Sequence, residues 1–184
     1  MSDETTQIRQ AAAGDSGAAE ALFRAYEARI YSYLFRMLGD RTEAEDATQE
    51  CFVNAFAALP RYEDRGHFKA WLFQIAHREG LKRSRSRKRQ GEVHLAILEQ
   101  VDPSSDVVRP DQATSASDRD LKLREAIDRL PEAEKTVVLL RTYSALTFKE
   151  ISEIMDASLN TTLGRMHNAL KRLRVDAKDL ADEM

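Results

Sequence analysis

One cysteine in the whole sequence means no internal disulfide and no thiolate-rich zinc cage. Proline and glycine are also sparse, at four and seven residues, and runs of β-branched residues are scarce. A sheet of many short strands needs both, so the composition turns toward helices, rich as it is in Ala, Leu, Glu and Arg. No apolar stretch approaches the roughly 20 residues of a bilayer span. The opening MSDETTQIRQ has no cationic segment leading into an apolar one, so no signal peptide is expected. The four histidines (67, 77, 94 and 167) are scattered, with no metal-ligand spacing and no nucleophile–base pairing. The expectation is an all-α, reduced, cytoplasmic protein with no membrane insertion, no metal, no cofactor and no enzymatic activity.

Neither sign of charge dominates. Lys and Arg number 28 against 31 Asp and Glu, for a net charge of −3, which by itself argues against a nucleic-acid partner. The distribution argues the other way. From His77 to Arg89 stand seven cations (78, 82, 83, 85, 87, 88 and 89) against one acid, Glu79. From Gly91 to Asp118 six acids face Arg109 alone, in a stretch that also holds Pro103, Pro110 and the run DPSSDVVRPDQATSASD. Between Ala157 and Val175 the sign is basic again, with Arg165, Lys171, Arg172 and Arg174 and no acid. This reads as two small helical domains, 1–90 and 119–184, joined by an acidic flexible linker at 91–118.

Apolar spacing and punctuation predict helices at about 6–13, 17–38, 43–59, 67–87, 119–129, 132–143, 148–155 and 159–174. Thr42 with Glu45, and Thr147 with Glu150, both fit the capping-box pattern at a helix start. In the 43–59 helix a core stripe runs through Ala44, Ala47, Cys51, Phe52, Ala55, Phe56 and Leu59, so Cys51 reads as a small buried hydrophobe. Asp46, Gln49, Glu50 and Val53 stand on a second face, either an ordinary solvated surface or a docking surface. The next segment sets Tyr62, Phe68, Trp71 and Phe73 beside cations, a pairing suited to single-stranded nucleic acid. Trp71 and Leu72 fit the core of that helix; Arg61, Tyr62, Arg65 and His67 are harder to place in one.

The clearest pattern lies near the C-terminus. A short apolar helix, the turn DAS and a second helix form a helix-turn-helix. At about 100° per residue, Leu159, Thr162, Met166, Ala169, Leu170 and Leu173 share one arc of the second helix. Thr161, Gly164, Arg165, Asn168 and Arg172 share the opposite arc, where Arg suits guanine and Asn suits adenine in the major groove.

With these residues in view, the chain resembles the extracytoplasmic-function, or group 4, bacterial RNA polymerase sigma factors. The resemblance rests on EDATQECFVNAFAAL (45–59), FKAWLFQIA (68–76) and, within 130–173, LPEAEKTVVLLR, LTFKEISEIM and TTLGRMHNALKRL. It implies a domain at 1–90 that binds core RNA polymerase through Asp46, Gln49, Glu50 and Val53. That domain would also open the promoter −10 element through Arg61, Tyr62, Arg65, His67, Lys69, His77, Arg78, Lys82 and Arg83. It implies a helix-turn-helix domain at 119–184 that reads the −35 element through Asn160, Thr161, Gly164, Arg165, Asn168 and Arg172. The implied partners are core RNA polymerase, promoter DNA and an anti-sigma factor. The chain departs from many members at His77-Arg78, where Arg-Asn is frequent, and at Thr162-Leu163-Gly164, where Val-Lys-Ser is frequent. The rival reading is a stand-alone helix-turn-helix regulator that binds duplex DNA without polymerase.

Overall fold

A computed structural model describes residues 3–98 and 118–182, with side chains over 4–87 and 122–175. The described residues are helical, with no strand among them. They fall into two compact units, Met1–Pro110 and Asp111–Met184.

The first unit contains α1 (Asp3–Ala12), α2 (Ser16–Leu38), α3 (Arg41–Ala58), a 3-10 turn at Leu59–Arg61 and α4 (Phe68–Leu98). Asp15 caps α2 by accepting from Ala18 N at 2.9 Å, and Gly39, at φ +70°, ends it in the left-handed conformation. The expected Thr42–Glu45 capping box is not the one formed. Asp40 is the cap of α3, accepting from Glu43 N at 2.9 Å, while Glu45 pairs with Arg41 at 2.8 Å. Gly39 forces the chain to turn at once, so the residue after it already has the extended backbone a cap requires.

Helix α2 packs on α3 and α4, and α3 packs on α4. Tyr33, Phe73, Leu22, Ile30, Leu34, Leu59 and Leu72 are fully buried where they meet. Each such side chain contributes about 1.5–3 kcal/mol on leaving water. Cys51 sits in this core as expected, where burial pushes its thiol up to about 12. Gly80 permits the close approach of α4 to α2: a Cβ there would lie 2.7 Å from Met37 Sδ and 3.1 Å from Leu34 Cδ2. Helix α4 continues through Leu98, past the expected boundary at residue 90. Residues 99–117 of the expected linker lie outside the described residues.

The second unit contains α5 (Asp118–Asp128), α6 (Glu132–Ser144), α7 (Phe148–Ile154) and α8 (Leu159–Asp182). Val137, Leu139, Leu140, Leu146, Ile151 and Ala169 form its interior. The turn from α6 to α7 is locked three ways: Leu146 N donates to Ser144 Oγ at 3.1 Å, Arg141 donates to the Leu146 carbonyl, and the Arg141 guanidinium lies 5.3 Å over the Phe148 ring. The capping box at Thr147 and Glu150 forms as the sequence spells it.

Candidate functional site

The turn between α7 and α8 sets the reading helix. Asp156 takes φ +48°, a conformation its short polar side chain tolerates, and Ala157 N bonds back to Ser152 O at 2.9 Å. Ser158 then caps α8, accepting from Thr161 N at 3.0 Å. Thr162, fully buried, anchors the same turn by donating to Ser158 O at 3.1 Å. This leaves Asn160, Thr161, Gly164 and Asn168 exposed on one face, with Arg165 half-buried beside them. The Thr161 hydroxyl is hydrogen-bonded to Ser158 Oγ at 2.8 Å. Nothing lies within 4 Å of a Cβ placed on Gly164, so that position is open space ready for a close neighbour. Arg172 is exposed and its Nε lies 3.2 Å from Glu134 Oε2 on α6. The buried strip of α8 is narrower than the arc shared by Leu159, Thr162, Met166, Ala169, Leu170 and Leu173. Leu159 and Leu170 are 44% and 43% exposed, because the contacts of α8 centre on Thr162 and Ala169 and leave the flank of the arc uncovered.

On α3 the four residues singled out share one exposed face. Asp46, Gln49 and Glu50 are exposed and Val53 is 63% exposed, an uncovered apolar side chain among polar ones. The face is tied to α4 by Arg83, whose Nη1 lies 2.8 Å from Glu43 Oε2 and 3.6 Å from Asp46 Oδ2. Behind it, Asn54 Nδ2 donates to Glu79 Oε1 at 3.1 Å, and Lys82 Nζ lies 3.5 Å from Glu79 Oε2.

The loop before α4 presents Arg61, Arg65 and His67, all exposed, with Lys69 half-buried at the start of the helix. Gly66, at φ +77°, turns this loop, and its N–H donates to Asp64 Oδ1 at 2.9 Å. Tyr62 is half-buried. Its ring lies 4.6 Å from that of Trp71 and 5.8 Å from that of Phe68. Its hydroxyl is buried without a well-formed partner, and burial pushes it up to about 12. Tyr62, Phe68 and Trp71 thus form one aromatic cluster at the loop that carries the exposed Arg61, Arg65 and His67. Arg78 and Lys82 are exposed on α4, whereas Arg83 has a side chain only 25% exposed.

His77 does not belong with these surface residues. It is 7% exposed, its Nδ1 is 2.7 Å from Tyr33 Oη, and burial lowers its pKa to about 4. Helix α4 lies against both α2 and α3, so its buried arc is wide enough to take in His77 together with Phe73 and Gly80. The spacing 73, 77, 80 is a core spacing, and it is the signal by which the sequence could have placed His77 inside. Among the described residues no group of three His, Cys, Asp or Glu side chains could hold a metal ion, and no helix is long and apolar enough to cross a membrane.

Comparison with known proteins follows the same division. Residues 22–90 match the family model for sigma-70 region 2, and residues 120–173 match that for sigma-70, region 4. The chain is 29% identical over 182 residues to the ECF RNA polymerase sigma factor SigW of Bacillus subtilis (strain 168), covering 95% of this chain and 96% of that protein. It is 30% identical over 176 residues to the ECF RNA polymerase sigma factor SigK of Mycobacterium tuberculosis (strain ATCC 25618 / H37Rv), covering 94% and 92%. Two solved structures share the fold. The sigma factor RpoE in complex with the anti-sigma factor NepR, from Bartonella quintana, has a TM-score of 0.68 at 21% identity, covering 86% of this chain and 96% of that one. CnrH in complex with the cytosolic domain of CnrY has a TM-score of 0.69 at 20% identity, covering 95% and 96%.

Proposed function

This chain belongs to the ECF RNA polymerase sigma factors, and from that premise we propose how its surfaces divide the work of starting transcription. As a sigma factor it serves DNA-templated transcription initiation by RNA polymerase. The exposed face of α3, with Asp46, Gln49, Glu50 and Val53, docks on core polymerase: three polar side chains give orientation and Val53 gives an apolar contact. The loop at 61–67, with Lys69, Arg78 and Lys82, holds the opened strand of the −10 element against the aromatic cluster of Tyr62 and Trp71. The outward face of α8 binds the −35 element as duplex, reading it through Asn160, Thr161, Gly164, Arg165 and Asn168, with Arg172 meeting the DNA at the far end of the same face. Domains at 1–90 and 119–184 carry these roles, joined by the acidic segment between them. The chain works without catalysis of its own, in the cytoplasm, and an anti-sigma factor is among its partners, as RpoE is found in complex with the anti-sigma factor NepR.

The observation that carries this reading is the set of exposed polar residues held on one side of α8 by a capped, hydrogen-bonded turn. A polyanionic partner is compatible with a chain of net charge −3 because polymerase supplies much of the affinity for DNA. Transcription by sigma-free core polymerase on a promoter library tests it. Addition of this protein should produce transcripts from a subset sharing two spaced elements. Tight, selective duplex binding by the free protein, with no effect on core polymerase, would establish the stand-alone regulator instead.

A further inference from the structure

A groove runs between the C-terminal end of α5, with the turn that follows it, and the second half of α8. Its walls carry Arg129, Lys171, Arg172, Asn168 and Val175, and its floor is Ala126 and Leu130. We infer that Arg129 and Lys171, together with Arg172, form a phosphate clamp for the DNA backbone bordering the bases that α8 reads. The inference rests on the reading of α8 as a duplex-reading helix, and it adds a contact from outside the helix-turn-helix.

Three observations support a phosphate in this groove. The first is reach. Arg172 lies roughly 16 Å along α8 from Thr161 at about 1.5 Å per residue, farther than the width of the major groove, about 12 Å. A helix whose first turns meet base edges therefore passes the sugar-phosphate wall with its second half, where the cations stand.

The second is charge. Lys171 is exposed. Arg129 faces Glu125 at 3.5 Å, but both side chains are about two-thirds exposed, at 70% and 66%, so a phosphate displaces that pair at little cost. Arg172 meets the Glu134 carboxylate through Nε. That leaves both terminal nitrogens of a planar donor fork for a phosphate.

The third observation is the floor. Ala126 and Leu130 are already buried by their own unit, at 4% and 7% exposure. Val175 is the exposed apolar side chain of the lining, at 53%, against three exposed cations and one exposed amide. That chemistry suits a phosphate oxygen better than the apolar side chains of an amphipathic protein segment.

The test uses holoenzyme assembled from core polymerase and the full chain, with promoter duplex binding followed across salt concentration. Arg129→Ala and Lys171→Ala should each flatten the slope of log K against log salt by about 0.9, the signature of one lost phosphate contact. They should weaken matched and scrambled upstream elements by the same factor and leave base preference unchanged. Lys171→Arg, which keeps the charge, should restore the slope, separating charge from a packing effect. Arg165→Ala and Asn168→Ala should instead change base preference. If the Arg129 and Lys171 variants keep the wild-type slope while Arg165→Ala alters preference, the clamp is wrong and the reading helix stands. If Arg165→Ala and Asn168→Ala leave preference untouched, the reading of α8 fails, and the clamp fails with it.

Discussion

Helices α4 and α8 both carry dense cations in sequence, yet they deploy them differently. Of the α4 cations with described side chains, Arg83 is spent on Glu43 and Asp46, and Arg87 donates to the Leu38 carbonyl at the end of α2 at 3.0 Å. Lys82 faces the half-buried Glu79 at 3.5 Å. Among the α8 cations with described side chains, Lys171 and Arg174 are exposed, and Arg172 has an acidic neighbour in Glu134 at 3.2 Å. The cause is packing. Cations of α4 face carboxylates of α3 and a carbonyl of α2, whereas α8 packs on α5, α6 and α7 through its other side and keeps Asn160, Thr161, Gly164 and Asn168 exposed. A run of cations thus overstates the nucleic-acid surface wherever its members face carboxylates and carbonyls of a neighbouring helix.

The largest expected effect lies in the packed side of α4. Because the folded state holds His77 neutral to about pH 4 and the unfolded chain protonates it near 6.5, acid favours unfolding. Above pH 6.5 His77 contributes no pH dependence. Between 6.5 and 4 it should remove about 1.4 kcal/mol of stability per pH unit, some 3 kcal/mol in all, and below 4 the loss levels off. Urea unfolding of wild type and His77→Gln at pH 7, 5.5 and 4.5 isolates this slope. Parallel stability curves for the two proteins would mean that His77 is solvated after all.

Next in size is a contrast between two glycines. Gly80→Val places a branched side chain against Met37 and Leu34 and should destabilise the fold by about 1–3 kcal/mol. Gly164→Ala meets nothing within 4 Å and should stabilise it by up to about 1 kcal/mol through helix propensity. Thermal melts of both variants check the pair. Equal shifts of the same sign would erase the difference drawn between the helices.

A smaller effect separates Arg83 from its neighbours. Arg83→Ala should cost the fold on the order of 1 kcal/mol, since its side chain is largely covered and bridges two helices. Arg78→Ala and Lys82→Ala, on exposed positions, should cost less than about 0.5 kcal/mol. Chemical denaturation ranks them, and an Arg83 variant as stable as wild type would return that residue to the exposed set.

Much of this was legible in the sequence where the signal is local. Thr147 and Glu150 spell their own cap, and Val53 among Asp46, Gln49 and Glu50 marked a face that is indeed exposed. The misreadings are tertiary. Asp40 and Thr42 both precede a glutamate by three residues, and only the left-handed turn at Gly39 decides between them. His77 looked like a member of the basic run because a linear count cannot see that α4 is flanked by two helices. Leu159 and Leu170 share the apolar arc and yet are exposed, because an arc records what could be covered, and the neighbours of α8 cover only part of it.

The central claim is that duplex reading and strand opening belong to separate surfaces, α8 and the loop before α4. Permanganate footprinting of holoenzyme, run beside promoter binding on intact and pre-melted templates, tests it most directly. Arg165→Ala should weaken the initial closed complex by about 1–3 kcal/mol and recover in part on a template whose downstream bubble is already open. Arg61→Ala and His67→Ala should bind the upstream element normally and leave the −10 thymines unreactive. Both classes of variant losing the same step to the same degree, on both templates, would contradict the account.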